Sequence, residues 1–278
     1  MVHATAIDEP NSTAQPKPGR EPVVEASGLS LVFDAPDAPI TALSDIDLTI
    51  GQGDFVSLIG PSGCGKTTLM RAVADLEQPT AGSMMVNGMS AHEARLQRAY
   101  GYVFQAPALY PWRTVARNVQ LPLEIMGLSR EERRARCARA LETVGLSGFE
   151  RKFPWQLSGG MQQRVSIARA LSLDPKLLLM DEPFGALDEI TRDTLNLHLL
   201  KLWNQTGLTV IFVTHSIPEA VFLSSRIVVM SPRPGRILEV IDSDLPAERT
   251  LDIRETPEFL RIAQQVRDAL RRGHSYEE

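Results

Sequence analysis

The stretch Gly60-Pro61-Ser62-Gly63-Cys64-Gly65-Lys66-Thr67 constrains this chain more than any other. Asp54–Ile59 precedes it and reads as a buried strand; Thr68–Leu76 follows and reads as a helix. A strand, a glycine-rich turn closing on Gly-Lys-Thr and a helix make a phosphate-binding loop. The glycines let the backbone curl so that successive N–H groups point into one concavity, and the helix N-terminus adds positive potential there. Gly60, Pro61, Ser62, Gly63, Cys64, Gly65 and Thr68 are then expected to line the phosphates. Lys66 would reach the terminal ones, and the Thr67 hydroxyl would hold Mg²⁺. The expectation is a nucleoside triphosphate site.

The rest of the chain supplies a scaffold of matching kind. Val23–Phe33 and Thr41–Ile50 alternate like strands, separated by the turn-forming link Asp34–Pro39. Ser83–Val86, Tyr100–Phe104, Leu177–Met180, Thr209–Val213, Ile227–Met230 and Ile237–Ile241 read as further strands. Helices are expected at Val115–Met126, Arg130–Val144, Gly159–Leu173, Glu189–Gln205, Ile217–Leu223 and Pro257–Arg272. The arginine-rich second of these reads as a solvated face with Leu141 and Val144 turned inward. Strands separated by helices imply an α/β fold with a mostly parallel sheet covered on both faces. A helical subdomain is inserted at about 106–165. The divisions expected are a flexible tail over 1–22, the nucleotide domain over 23–245 and a helical tail over 246–278.

Composition excludes several alternatives. A net charge of −5 argues against a nucleic-acid surface. No apolar run approaches the roughly 20 residues that cross a bilayer. Met1–Glu21 is polar and lacks the apolar centre of a secretory signal. The two cysteines, Cys64 and Cys137, have no metal-type spacing and suit a reducing compartment.

Three other stretches bear on the site. Leu177–Met180 ends in Asp181 and Glu182; beside a phosphate loop the first acid belongs on Mg²⁺ and the second can activate a water. Thr214-His215 follows a strand in the same way, where His215 is open to two readings, a contact to the γ-phosphate or its water and an ordinary surface histidine. Leu157-Ser158-Gly159-Gly160-Met161-Gln162-Gln163-Arg164 starts a helix with an N-cap serine and two glycines that leave N–H groups bare. It reads equally as a second anion site and as a plain capped helix.

These motifs, in this order, make the chain resemble the ATP-binding-cassette (ABC) transporter ATPases from about Val23 to Ile241. GPSGCGKTT at Gly60–Thr68 is similar to the family's Walker A, LSGGMQQR at Leu157–Arg164 to its signature, and LLLMDEP at Leu177–Pro183 to its Walker B. Gly185–Asp188 looks like the D-loop, His215 the switch histidine and Gln105 the Q-loop glutamine. The resemblance implies a phosphate-loop ABC fold with an added antiparallel β region, and ATP and Mg²⁺ as ligands. It further implies that Ser158, Gly159 and Gly160, with Gln162 beside them, close over ATP held by a second subunit, so that two cassettes, expected to be identical, act head to tail. Catalysis would then fall to Glu182, His215, Gln105 and Lys66, with Thr67, Gln105 and Asp181 on the metal and Phe33 stacked on adenine. Phe33 stands where tyrosine is commoner, and Asp75 stands where glycine is common, which reads as neutral.

The run Leu109-Tyr110-Pro111-Trp112-Arg113-Thr114-Val115, with Asn118-Val119, is similar to the LLPWRTV…NV pattern of importers for nitrate, sulfonates and taurine. The resemblance therefore implies a peripheral ATPase on the cytoplasmic face of the cell membrane. It would couple hydrolysis to uptake of a small solute through separate transmembrane permease subunits gripped near Tyr110 and Trp112, and would be linked indirectly to a solute-binding protein. Those two aromatics are alternatively core residues of the helical insertion. A non-transport ABC ATPase of DNA repair or translation is the competing class, but the coiled-coil or metal-binding insertions of such proteins are not visible here. A phosphate-loop kinase would leave LSGGMQQR without a role.

Overall fold

The computed structural model describes residues 20–274. In chain order the elements are β1 (Pro22–Phe33), β2 (Ile40–Gly51), β3 (Phe55–Ile59), α1 (Lys66–Val73), β4 (Ala81–Val86), β5 (Met89–Ser90), α2 (Ala91–Leu96), β6 (Tyr100–Val103), α3 (Val115–Ile125), α4 (Arg130–Thr143), α5 (Gly159–Leu171), β7 (Leu177–Asp181), α6 (Glu189–Thr206), β8 (Thr209–Val213), α7 (Ile217–Leu223), β9 (Arg226–Met230), β10 (Ile237–Asp242) and α8 (Pro257–His274). They form two sheets: an antiparallel one in the order β2-β1-β4-β5, and a larger one in the order β10-β9-β3-β8-β7-β6. Strands β9, β3, β8, β7 and β6 run parallel, and β10 alone pairs antiparallel on the outer edge.

The parallel strands are buried on both faces, which is why FVSLI and TVIFV read as continuous apolar runs rather than alternating ones. Their side chains divide by the period of two. Phe55, Ile59, Leu178, Met180, Val210 and Phe212 face a core that includes the helical insertion, α6, α7 and α8. Val56, Leu58, Leu177, Leu179, Ile211 and Val213 face the other core, shared with α1 and the antiparallel sheet. Within the insertion, Leu141 and Val144 turn inward as expected, and Cys137 joins them.

Several expectations need correction. The first helix starts at Lys66 and ends at Val73, because Gly65 at φ 99° supplies its N-cap. The short strand β5 and helix α2 were not expected, although Ser90-Ala91-His92-Glu93 forms a reciprocal capping box there. Most of the 1–22 segment lies outside the described residues, but the chain is already anchored before Val23. Arg20 pairs with the buried Asp54, Gln52 N donates to Glu21 O at 2.8 Å, and β1 begins at Pro22. The stretch beyond 245 packs back on the main body. Phe259, Ile262, Ala263, Val266 and Ala269 recur at helical spacing and are buried in the same core as Phe222. Burying the larger of these side chains contributes about 1.5–3 kcal/mol each, so α8 belongs to the α/β body.

Asp75 is not neutral. It sits at φ 51°, in the left-handed region where glycine is at ease. It accepts from Arg95 Nε at 2.8 Å and lies 3.0 Å from His92 Nδ1, tying the end of α1 to α2. Burial works to raise its pKa, but hydrogen bonds from Arg95, Gln78 and His92 outweigh that and hold the carboxyl below its ordinary range.

Candidate functional site

Four neighbouring strands, β3, β8, β7 and β6, deliver their carboxyl ends to one edge of the large sheet. Gly60–Thr67 follows β3, Thr214-His215 follows β8, Asp181-Glu182 closes β7, and Gln105 lies just beyond β6. Crevices beyond the carboxyl ends of parallel strands are where such sheets bind ligands.

The loop is held from below by its own chain. A Cβ on Gly60 would stand 2.7 Å from Cys64 Sγ and 2.9 Å from Met230 O. One on Gly235 would come within 2.1 Å of Cys64 O, so the 231–236 segment seats directly under the loop. Gly235 N donates to Ala42 O at 2.9 Å, Ser44 N donates to Gly235 O at 3.0 Å, and Arg233 reaches Gly63 O at 3.4 Å. Cys64 fills the space beneath, buried among these contacts. Lys66 is buried too: its ammonium donates to Gly60 O at 2.9 Å and Pro61 O at 2.8 Å and so spans the loop's mouth. Pro61, Ser62, Gly63, Thr67 and Thr68 are left partly or fully exposed around it. Phe33 lies half-exposed at the end of β1.

The first acid meets the loop directly. Thr67 Oγ1 donates to Asp181 Oδ1 at 2.9 Å. Burial pushes the Asp181 carboxyl up; the Thr67 hydrogen bond opposes this and the adjacent Glu182 adds to it. Glu182 adopts φ 41°, and its N–H donates to Val213 O at 3.0 Å. For a residue with a Cβ that conformation costs about 1–2 kcal/mol. Glu182 Oε2 then accepts from Gln105 Nε2 at 3.5 Å and lies 3.6 Å from His215 Nδ1. The structure thus brings Lys66, Thr67, Asp181, Glu182, Gln105 and His215 to one edge; His215 stays 61% exposed. Among the described residues no group of three or more His, Cys, Asp or Glu side chains could by itself hold a metal.

The Ser158 stretch is not part of this cluster. Ser158 caps α5, its Oγ accepting from Met161 N at 3.3 Å, and Ser158 and Gly159 remain exposed. Gly160 is buried because α6 passes close: a Cβ there would meet Thr191 Cγ2 at 2.6 Å. Gln162 was expected among the nucleotide contacts, but its amide is turned back onto Pro154 O at 3.0 Å and Leu157 O at 3.3 Å. That bonding holds the Pro154–Gln156 turn against α5. Sequence reasoning missed Gln163, whose Nε2 donates to Phe104 O at 3.4 Å and connects this helix to the Gln105 segment.

A second surface lies beside the insertion. Tyr110 and Trp112 are exposed, Trp112 by 69%, with ring centroids 5.1 Å apart, so they are not core residues. Their loop is set by the buried Asn118, whose Nδ2 donates to the carbonyls of Tyr110, Arg113 and Thr114 while its Oδ1 accepts from Tyr110 N. Arg169 adds bonds to Ala108 O at 2.8 Å and Pro107 O at 2.9 Å. Tyr102, Phe104, Tyr110, Ile125 and Arg169 border a cleft of about 320 Å³ there.

A phosphate loop at a sheet edge, with an acid pair and a histidine on neighbouring strands, defines a nucleoside-triphosphate-hydrolysing class of protein. The comparisons name the particular family. The ABC transporter family model matches residues 43–185. A taurine import ATP-binding protein of Yersinia pestis is 45% identical over 224 residues, 79% of this chain and 87% of its own. A nitrate import ATP-binding protein of Synechocystis is 40% identical over 261 residues, 92% of this chain and 97% of its own. A dimeric ATP-binding cassette in a post-hydrolysis state, bound to ADP and Pi, superposes with a TM-score of 0.69 at 35% identity, over 79% of this chain and 98% of that one. This chain belongs to the ABC transporter family, whose ATP-binding subunits hydrolyse ATP to drive transport. Among the described residues no helix is long and apolar enough to cross a membrane.

Proposed function

We propose that this chain is the ATP-hydrolysing subunit of an importer for a small anionic or zwitterionic solute of the nitrate, sulfonate and taurine kind. The solute class rests on relatives named for taurine and nitrate import, each spanning most of this chain. The hydrolytic assignment rests on one observation above others: Glu182 lies at hydrogen-bond range of Gln105 and 3.6 Å from His215, beside the Thr67–Asp181 pair.

The residues present suit Mg²⁺. Thr67 Oγ1 and Asp181 Oδ1 form an all-oxygen pair beside the phosphate loop, with Gln105 at the same edge. A hard cation that shares its shell with substrate phosphates takes only one or two protein ligands of this type. When bound it neutralises phosphate charge and keeps the buried Asp181 ionised. Lys66 gives up its bonds to the loop carbonyls for the β- and γ-phosphate oxygens. The amides from Ser62 to Thr68 hold the remaining charge at the start of α1. Glu182 accepts a proton from the attacking water, and His215, beside it, orients water and γ-phosphate.

Ser158, Gly159 and Gly160 take no part within their own subunit; Ser158 and Gly159 are exposed where a second, identical cassette can bring its loop and nucleotide against them, with Gly160 buried just behind. Each γ-phosphate then adds contacts across the interface, and closure is a population shift that hydrolysis reverses. Gln163 connects the moving α5 to the 104–113 segment, where Tyr110 and Trp112 meet the permease, and Gln105 connects that segment to Glu182. The place of action is accordingly the cytoplasmic membrane face. Purifying the intact membrane complex and measuring its ATPase against candidate solutes tests this reading. Stimulation by one small anion or zwitterion is expected; hydrolysis indifferent to every solute, with or without a permease, would overturn it.

A further inference from the structure

A buried polar cluster lies behind His215, outside the groups described so far. Glu219, in the first turn of α7, is 6% exposed. Thr214 Oγ1 donates to Glu219 Oε2 at 2.5 Å and accepts from Ser216 N at 3.0 Å, while Thr214 N donates to Leu58 O at 3.2 Å. The backbone on both sides of His215 is therefore bound: one side to β3, the other to a hydroxyl that Glu219 holds. On its far side the same carboxylate faces α6. Arg192 acts on it electrostatically, and the amide of Asn196 lies beside it without closing a well-formed bond. Glu219 Oε1 and both amide atoms of buried Asn196 are left without a hydrogen-bond partner. Arg192 also donates to Leu187 O at 2.8 Å, in the turn that follows Glu182.

A carboxylate in such a place is costly. Burial lifts the Glu219 carboxyl above its ordinary range, and the Thr214 bond with the nearby Arg192 and His215 only partly offsets this. An apolar side chain would fill the space at lower cost, so packing does not explain a glutamate here.

We propose that Glu219 is a positioning residue for hydrolysis: it sets the Thr214–Ser216 turn that presents His215 to Glu182, and links that turn through α6 to the Gly185–Asp188 segment. The incompletely bonded Asn196–Glu219 contact is where that link has room to change as the Gly185–Asp188 segment moves. The inference rests on the assignment of His215 to the hydrolytic site. Glu219 touches no substrate and acts through His215.

The test is steady-state ATPase on the full-length chain, read as separate kcat and KM, for Glu219→Ala, Glu219→Gln and His215→Ala, alone and combined. A group moved by about 1 Å costs up to about 100-fold in rate. Glu219→Ala should therefore lose about 10- to 100-fold in kcat, with KM within about threefold of native. Glu219→Gln, whose amide oxygen still accepts from Thr214, should recover to within about threefold of the native rate. Added to His215→Ala, the alanine change should cost less than about threefold more, because the two act as one unit. A native kcat in Glu219→Ala, or its full loss repeated in the His215→Ala background, would overturn the proposal. Native hydrolysis in His215→Ala itself would remove the site assignment first, and this proposal with it. If Glu219→Ala does not fold, Thr214→Val carries the test: the same kcat loss supports the role, and a native rate contradicts it.

Discussion

The Gly60–Thr67 loop and the Ser158–Gly160 turn both lead glycines into a helix N-terminus, yet their surroundings differ in kind. The loop is seated on Gly235, Ala42 and Met230 of its own chain, and its lysine is buried across its mouth. The Ser158 turn is propped from beneath only, by Thr191 and Leu187, and its upper side is bare. Trp155, just before it, is 65% exposed and stacks on Phe153 at 4.5 Å. A complete binding site shows itself by internal support on every side but one. The Ser158 turn shows ordinary helix capping with nothing opposite it.

If that contrast is right, damage to the two regions should separate binding from turnover. The largest effect belongs to Glu182→Gln, which keeps the shape of the site and removes the base. Hydrolysis should fall by about 10²- to 10⁴-fold, ATP affinity should be retained, and an ATP-bound dimer should accumulate on size exclusion. Normal turnover would take Glu182 out of the role. Next comes Lys66→Ala, which deletes a charge-assisted phosphate contact of about 1.5–3 kcal/mol. Equilibrium binding of a fluorescent ATP analogue should weaken about 10- to 150-fold, even with the chain monomeric. Ser158→Ala should do the reverse: nucleotide affinity of the monomer unchanged, hydrolysis at dimer-forming concentrations reduced. Its lost cap costs about 0.5–2 kcal/mol of stability in α5, visible as a lowered melting temperature.

Much of the first region was legible in the sequence because its signals are local. A strand, a glycine turn and a helix are contiguous, and β-strand ends carrying Asp181-Glu182 and His215 are readable as such once the sheet is parallel. What escaped was long-range or side-chain specific. Nothing local foretells that Gly235 lies against Cys64 O, or that Gln162 turns back to Pro154 while Gln163 reaches Phe104. The capping box at Ser90–Glu93 could have announced α2, but at six residues that helix has too little periodicity to stand out. The 257–274 helix was recognisable as amphipathic; only the structure shows that its apolar face joins the main core.

The smallest effect lies away from both regions and serves as a control. Asp75→Asn removes the anchor for Arg95 and His92. Since the folded carboxyl is held below its unfolded value of 3.8, its stabilisation is present above that value and disappears as pH falls through the lower, folded pKa. With solvent screening the loss should be under about 1 kcal/mol at neutral pH and shrink as the pH falls below the unfolded value of 3.8, as read by urea melts across pH, with ATPase unchanged.

The central claim is that Ser158–Gly160 serve the loop of another subunit, and a mixing experiment tests it directly. Two inactive chains, Lys66→Ala and a signature variant such as Gly159→Asp, are combined in equal amounts and assayed for ATP hydrolysis. In a head-to-tail dimer each mixed pair holds one site built from an intact loop and an intact signature. Activity should therefore return, to roughly a quarter of native if sites fire independently. If each loop were served by the signature of its own chain, no mixture could assemble an intact site, and activity no greater than that of the separate variants would contradict the account.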